Sequence, residues 1–161
     1  MIKMGRILTF ILIFSCFIIV SAAAQETVWT RAALQNIYMD HLRTEGYVPS
    51  VDIDGDIQFK VSGSSYFIII DENDLQFFQV YTGFILSAAP IEDIAVAVNF
   101  SNRRSKVAKI SLSPDGRIAS ITAELLLNDP RSFAPVFSRA LSLMRTAENN
   151  FLTHLRELTG G

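Results

Sequence analysis

Apolar residues early in the chain recur at helical spacing: Trp29, Ala33, Leu34, Ile37, Tyr38 and Leu42. That period predicts an amphipathic helix over residues 26–45, capped by Glu26 or Thr27 and stopped at Gly46. From residue 51 the period changes to two. Val51-Asp52-Ile53 leads into Asp54-Gly55, a dipeptide suited to the positive φ of a tight hairpin. Ile57, Phe59 and Val61 then alternate with Asp56, Gln58, Lys60 and Ser62, which predicts a strand with one wet face. Gly63-Ser64 predicts the next turn. Tyr66-Phe67-Ile68-Ile69-Ile70 reads as a strand with no polar face, residues 71–74 as a solvated turn, and residues 75–86 as a further strand bent near Gly83.

Pro90 marks a helix start, where its missing N–H costs nothing, and Ile91, Ile94, Ala95 and Val98 form a stripe ending near Asn102. Two strands follow around Ser113-Pro114-Asp115-Gly116. Ala108, Ile110 and Leu112 share one side of the first, and Ala119, Ile121, Ala123 and Leu125 one side of the second. A long helix begins near Ser132, with Pro135 in its first turn. It carries Phe137, Leu141, Met144, Phe151, Leu155 and Leu158 as its stripe and ends at Gly160-Gly161. The order α-β-β-β-β-α-β-β-α, with tight turns between strands, predicts an α+β fold: an antiparallel sheet with flanking helices.

The two central strands are apolar on both sides. Tyr66, Ile68 and Phe78 point one way, Phe67, Ile69, Phe77 and Tyr81 the other. Helices can cover one face. The second needs the C-terminal helix as a third layer, a second subunit or a client protein. Tyr66, Ile68, Phe77, Phe78 and Tyr81 are therefore the candidates for a protein-binding or dimer surface, with the pair Phe78 and Tyr66 on one face and Phe77 and Tyr81 on the other.

The N-terminus changes this picture. Lys3 and Arg6 precede a run over residues 7–20 that is interrupted only by Thr9, Ser15 and Cys16, and Ser21-Ala22-Ala23-Ala24 supplies small residues. This reads as a cleavable bacterial secretory signal over residues 1–24, with cleavage between Ala24 and Gln25. Residues 25–161 then form one domain, bound for the periplasm or the exterior and free of the membrane once cleaved. The alternative is an uncleaved anchor, near the lower limit of spanning length. A lipoprotein signal on Cys16 fits poorly, with bulky Phe14 where a small residue belongs. Cys16 is the sole cysteine, so the processed chain has no disulfide or thiol chemistry. It carries 12 basic against 16 acidic residues, net −4, which argues against nucleic acid as a partner. Half of the 161 residues are apolar and 19% charged, enough for a sizeable core.

Candidate chemistry is sparse. Asp52, Asp54 and Asp56 alternate, but an EF-hand loop starting at Asp52 needs glycine at position 57 and glutamate at 63, where Ile57 and Gly63 stand. His41 and His154 lack a second ligand at metal spacing, no Gly-x-Ser-x-Gly elbow is present, and Gly63-Ser64-Ser65 opens a strand rather than a phosphate-binding helix. Arg103, Arg104, Lys106 and Lys109 read as helix-terminal and strand-face cations. No catalytic residue, metal or cofactor is expected.

Three stretches resemble the YbjN-domain family, whose fold is similar to type III secretion chaperones. They are Glu45-Gly46-Tyr47 followed by Asp54-Gly55-Asp56, then Val98-Asn99-Phe100-Ser101-Asn102 closing the middle helix, then Pro114-Asp115-Gly116-Arg117 before the long helix. The resemblance covers roughly residues 28–158. It implies a small binding or chaperone-like domain, non-enzymatic and often dimeric, with Asn99, Asn102, Asp115 and Gly116 as structural motif residues. The expected function is an exported protein-binding domain that forms a homodimer or holds a client. A small-ligand-binding or structural envelope protein is the alternative.

Overall fold

The computed structural model describes residues 28–86 and 89–160. The expected leader, its Ala24–Gln25 junction, and the caps expected at Glu26 and Thr27 lie outside them. The helix α1 spans Arg31–Thr44, with Thr30 as its cap: the Thr30 hydroxyl accepts the Ala33 N–H at 3.2 Å. It starts later than the sequence period predicts, because Trp29 and Val28 precede the first turn. Gly46, at φ +87°, takes the left-handed conformation expected of it.

Six strands follow in an all-antiparallel sheet: β1 (Ser50–Val51), β2 (Ile57–Val61), β3 (Ser64–Ile69), β4 (Phe77–Ile85), β5 (Ala108–Leu112) and β6 (Ile118–Leu126). Their spatial order is β1-β2-β3-β4-β6-β5. The helix α2 (Ile91–Arg104) enters from Pro90 and runs two residues past Asn102. A short 3-10 turn, Pro130–Phe133, leads into α3 (Ala134–Thr159), which has Pro135 in its first turn. The element order is the one predicted, and the fold is α+β.

Three local readings change. The β2–β3 turn is Ser62-Gly63, both at positive φ, so Ser64 already belongs to a strand. Leu75 and Gln76 lie in the turn before β4. There is no bend at Gly83: β4 pairs with β6 without interruption from Phe77↔Leu126 to Ile85↔Ile118.

The three helices pack on one face of the sheet. Tyr38 of α1 meets Phe78 and Phe133 edge-on at 5.7 and 4.7 Å. Phe137 of α3 lies 5.8 Å from Phe59, and Phe151 lies 6.1 Å from Phe84. The helix α2 is fixed to α3 by the buried Ser101 hydroxyl, which donates to the Ala147 carbonyl at 2.7 Å. Of the predicted α3 stripe, Phe137, Leu141, Met144, Phe151 and Leu155 are buried, whereas Leu158 is exposed. The long helix is therefore not a third layer. The described residues form two layers, and among them no helix lies on the opposite sheet face.

Candidate functional site: the open sheet face

Side chains alternate across a strand, so the register decides which residues share the uncovered face. Gln58, Phe67, Tyr81, Thr122 and Lys109 stand side by side across five strands. A second row is Ile69, Gln79 and Glu124. Phe77 opposes Leu126 at one end, and Ile85 opposes Ile118 at the other. Leu126 is 79% exposed and Ile85 77%, so large apolar side chains stand in water at both ends. The rings of Phe67 and Tyr81 lie 6.0 Å apart between them.

This geometry divides the five candidate surface residues. Phe77 and Tyr81 belong to the open face. Tyr66, Ile68 and Phe78 do not: they are buried beneath the helices, at 3%, 0% and 0% exposure. The sequence showed two apolar faces, and packing of the helices on one side decided between them. Burial raises the Tyr66 phenol above its ordinary range, with the Glu148 charge adding to it, and burial alone raises Tyr38 to about 12.

The polar groups of the face largely satisfy one another. Glu124 accepts from Thr122 Oγ1 at 2.9 Å and from Gln79 Nε2 at 3.4 Å, with Lys109 Nζ at 3.9 Å. Beside Tyr81, Gly83 supplies no side chain. A shallow hollow of about 340 Å³ opens there, lined by Ser65, Phe67, Tyr81, Gly83, Phe84, Ile85 and Ile118. Ile85, Ile118 and Leu126 were not singled out from sequence. Part of the signal was present, because Ala119, Ile121, Ala123 and Leu125 share one side of their strand, which leaves 118 and 126 on the other.

The remaining candidates have structural places. Asp52 Oδ1 accepts the N–H groups of Asp54 and Asp56, and Asp56 Oδ1 accepts that of Ile70 at 2.8 Å, so these two carboxylates order the hairpin. The tip is held from α1, where Gln35 Nε2 donates to the Gly55 carbonyl at 2.9 Å and Arg31 pairs with Glu72 of the β3–β4 turn. His41 sits edge-on to Phe133 and Phe137. His154 stacks on Phe100 at 3.8 Å, and Arg104 lies 3.6 Å from the same ring centroid. Asn99 is exposed. Asn102 bonds both backbone groups of Ile110. Asp115 closes the β5–β6 turn, and hydrogen bonds from the Ser113 hydroxyl and then the Arg117 N–H lower its carboxyl below the usual range. Gly116 holds φ +70° against Ile91. Among the described residues no group of three or more His, Cys, Asp or Glu side chains is placed to hold a metal ion.

The chain matches no protein-family model, and no curated protein sequence matches it. Solved structures do. A protein from Methanothermobacter thermautotrophicus superposes with a TM-score of 0.58 at 14% identity, covering 77% of this chain and 97% of the other. A weaker likeness, TM-score 0.49 at 11% identity over 73% of this chain and 93% of the other, is to a chain of the HopA1–SchA chaperone–effector complex. YbjN from E. coli superposes with a TM-score of 0.52 at 10% identity, covering 78% of this chain and 90% of the other, so the chain has a YbjN-like α+β fold.

Proposed function

We propose that this chain is an exported, non-enzymatic protein-binding domain whose open sheet face is the docking surface, and that its occupant is a second copy of the chain. One observation carries the reading: Phe67, Ile69, Phe77, Tyr81, Ile85, Ile118 and Leu126 share a face that no element covers among the described residues. Contiguous apolar area of this kind marks interaction surfaces. Six strands about 4.8 Å apart, the longest nine residues long, give the face roughly 600 Å² in projection. A standard interface removes roughly 800 Å² of accessible surface from each partner, the same order. In a two-fold pair the patch meets itself, so a charged patch would repel its copy. Here Glu124 is compensated by Lys109 within the face. The cation that has no carboxylate partner among the described residues, Lys60, stands on β2 at the margin with the Ser65 hydroxyl as its partner, away from the apolar centre that would meet its own copy. Export rests on Lys3, Arg6, the apolar run over residues 7–20 and Ala22-Ala23-Ala24.

The test is a pair of double variants followed by light scattering and circular dichroism. Phe77→Lys with Tyr81→Lys should abolish self-association and leave a folded monomer. Tyr66→Lys with Phe78→Lys should unfold the protein. A wild-type protein that is monomeric at high concentration and captures nothing through this face would overturn the reading. N-terminal sequencing should begin at Gln25; a retained Met1 in the membrane fraction would replace cleavage with anchoring.

A second reading, a small-ligand carrier, is favoured by an apolar cleft of about 390 Å³ where β4 and the end of α3 diverge. Phe84, Leu86, Ala89, Leu152 and Leu155 line it together with Arg156, whose charge could hold an anionic end of the ligand.

A further inference from the structure

A sheet can also be joined at its edges, where unpaired N–H and C=O groups template another strand. The two edges here differ. One is β1, only two residues long and directly preceded by Pro49. The other is β5, five residues long with alternating apolar side chains, and it should be the more adhesive. Both backbone groups of Ile110 bond Asn102 rather than β6, and the Ser113 N–H donates to the Ile118 carbonyl, so by alternation the outward backbone groups of β5 are those of Ala108, Ile110 and Leu112.

Three of these six groups are already taken. Asn102 Oδ1 accepts the Ile110 N–H at 2.8 Å, and Asn102 Nδ2 donates to the Ile110 carbonyl at 2.9 Å. One carboxamide therefore reproduces the two-bond pairing that an incoming antiparallel strand would make at that residue. One register step away, the Ala108 N–H donates to the Lys106 carbonyl at 2.7 Å. That contact is a γ-turn centred on Val107, whose φ of +67° is uncommon for any L-residue and more so for a β-branched one. Unfavourable backbone geometry persists where the surrounding structure imposes it. Here it coincides with withdrawal of an edge donor.

We propose that the α2–β5 connection is an edge lock: Asn102 and the Val107 turn close the sheet to strand addition, so that a partner docks through side chains on the open face and not through main-chain pairing. The lock stands on its own geometry; its bearing on how the partner docks rests on the reading above. It limits assembly to a closed complex, because a face is used once, whereas an adhesive edge can recruit copy after copy.

The experiment uses the purified protein as processed by the cell. Asn102→Ala frees both groups of Ile110; Asn102→Asp keeps an acceptor for its N–H and frees the carbonyl. Leu141→Ala, a core deletion that leaves the Asn102 bonds in place, controls for general destabilisation. Circular dichroism selects folded samples, and light scattering with thioflavin fluorescence follows mass against concentration. Growth beyond the wild-type mass, with a thioflavin signal, in a folded Asn102 variant and not in Leu141→Ala supports the lock. Wild-type mass in both Asn102 variants, or equal growth in Leu141→Ala, overturns it. Adding Phe77→Lys and Tyr81→Lys to Asn102→Ala separates the two proposals, since growth through the edge persists when association through the face is absent.

Discussion

The hydroxyl of Tyr81 lies 2.7 Å from the point where a Cβ on Gly83 would stand. The ring of Tyr81 thus lies along its own strand, over a residue with no side chain, and Ser120 Oγ approaches its hydroxyl at 3.4 Å. Glycine weakens a strand by roughly 0.5–1 kcal/mol relative to alanine, so its use here has a local reason: it lets the ring lie flat on the open face.

Gly83→Ala should therefore have opposing effects. Strand propensity improves while the ring is pushed up, and net stability should move by less than about 1 kcal/mol. The ring's NMR signals should shift, and self-association should weaken about tenfold, roughly 1.4 kcal/mol. Unchanged Tyr81 signals in the variant would contradict the close approach.

Leu141 tests the docking of the long helix. It is 5% exposed and belongs to the stripe that faces the sheet. Leu141→Ala should cost about 2–5 kcal/mol in urea unfolding, the range for core deletions that leave a cavity. A loss below about half a kcal/mol would mean that α3 is not held through this stripe.

Much of this fold was legible in the chain because its periods are clean. Ile57, Phe59, Ala119, Ile121 and Ala123 alternate, and Asp54-Gly55 and Asp115-Gly116 punctuate them. The open face was legible only in part. Alternation says which residues share a side, and both sides of β3 and β4 are apolar, so only the placement of α1, α2 and α3 separates Phe78 and Tyr66 from Phe77 and Tyr81. The start of α1 was misplaced because Glu26 and Thr27 suit a cap as well as Thr30 does. The γ-turn at Val107 was not legible at all, since a valine signals extended backbone and the tertiary contacts around Asn102 override that preference.

The surroundings of Asp56 set the sign of its own contribution to the pH dependence of stability. Burial raises its carboxyl above the ordinary 3.8, and the charges of Asp52 and Asp54 add to this, while the Ile70 N–H and Arg31 oppose it. An acid whose folded-state value is raised favours folding fully below its unfolded value and loses that contribution as pH rises through the folded value. At neutral pH the charged side chain is therefore a burden. An asparagine in its place would keep an oxygen for the Ile70 N–H without the charge. Asp56→Asn should gain stability relative to wild type on going from pH 3 to pH 7, measured by thermal unfolding across that window. A gain that is the same at both ends would show that the carboxyl does not titrate as described.

Val107 allows its backbone geometry to be tested apart from its side chain. Its φ of +67° places Cβ against the following carbonyl, at a cost of roughly 1–2 kcal/mol for an L-residue. Comparing Val107→Gly with wild type would mix relief of that strain with loss of apolar contact, since the side chain is 42% exposed. Comparing Val107→Gly with Val107→Ala removes the ambiguity: both lack the two methyl groups, and they differ only in the Cβ. At an ordinary strand position alanine is the more stable of such a pair by about 0.5–1 kcal/mol. At Val107 the order should invert, with glycine the more stable by about 1 kcal/mol, because glycine alone adopts positive φ without steric cost. Urea unfolding of the two variants reads the difference directly. The glycine variant should also keep the wild-type mass, because the Ala108 N–H still reaches the Lys106 carbonyl and the β5 edge stays closed. Alanine more stable by the ordinary margin would mean that Val107 does not occupy the left-handed region in solution, and the turn would then withdraw no donor from the edge.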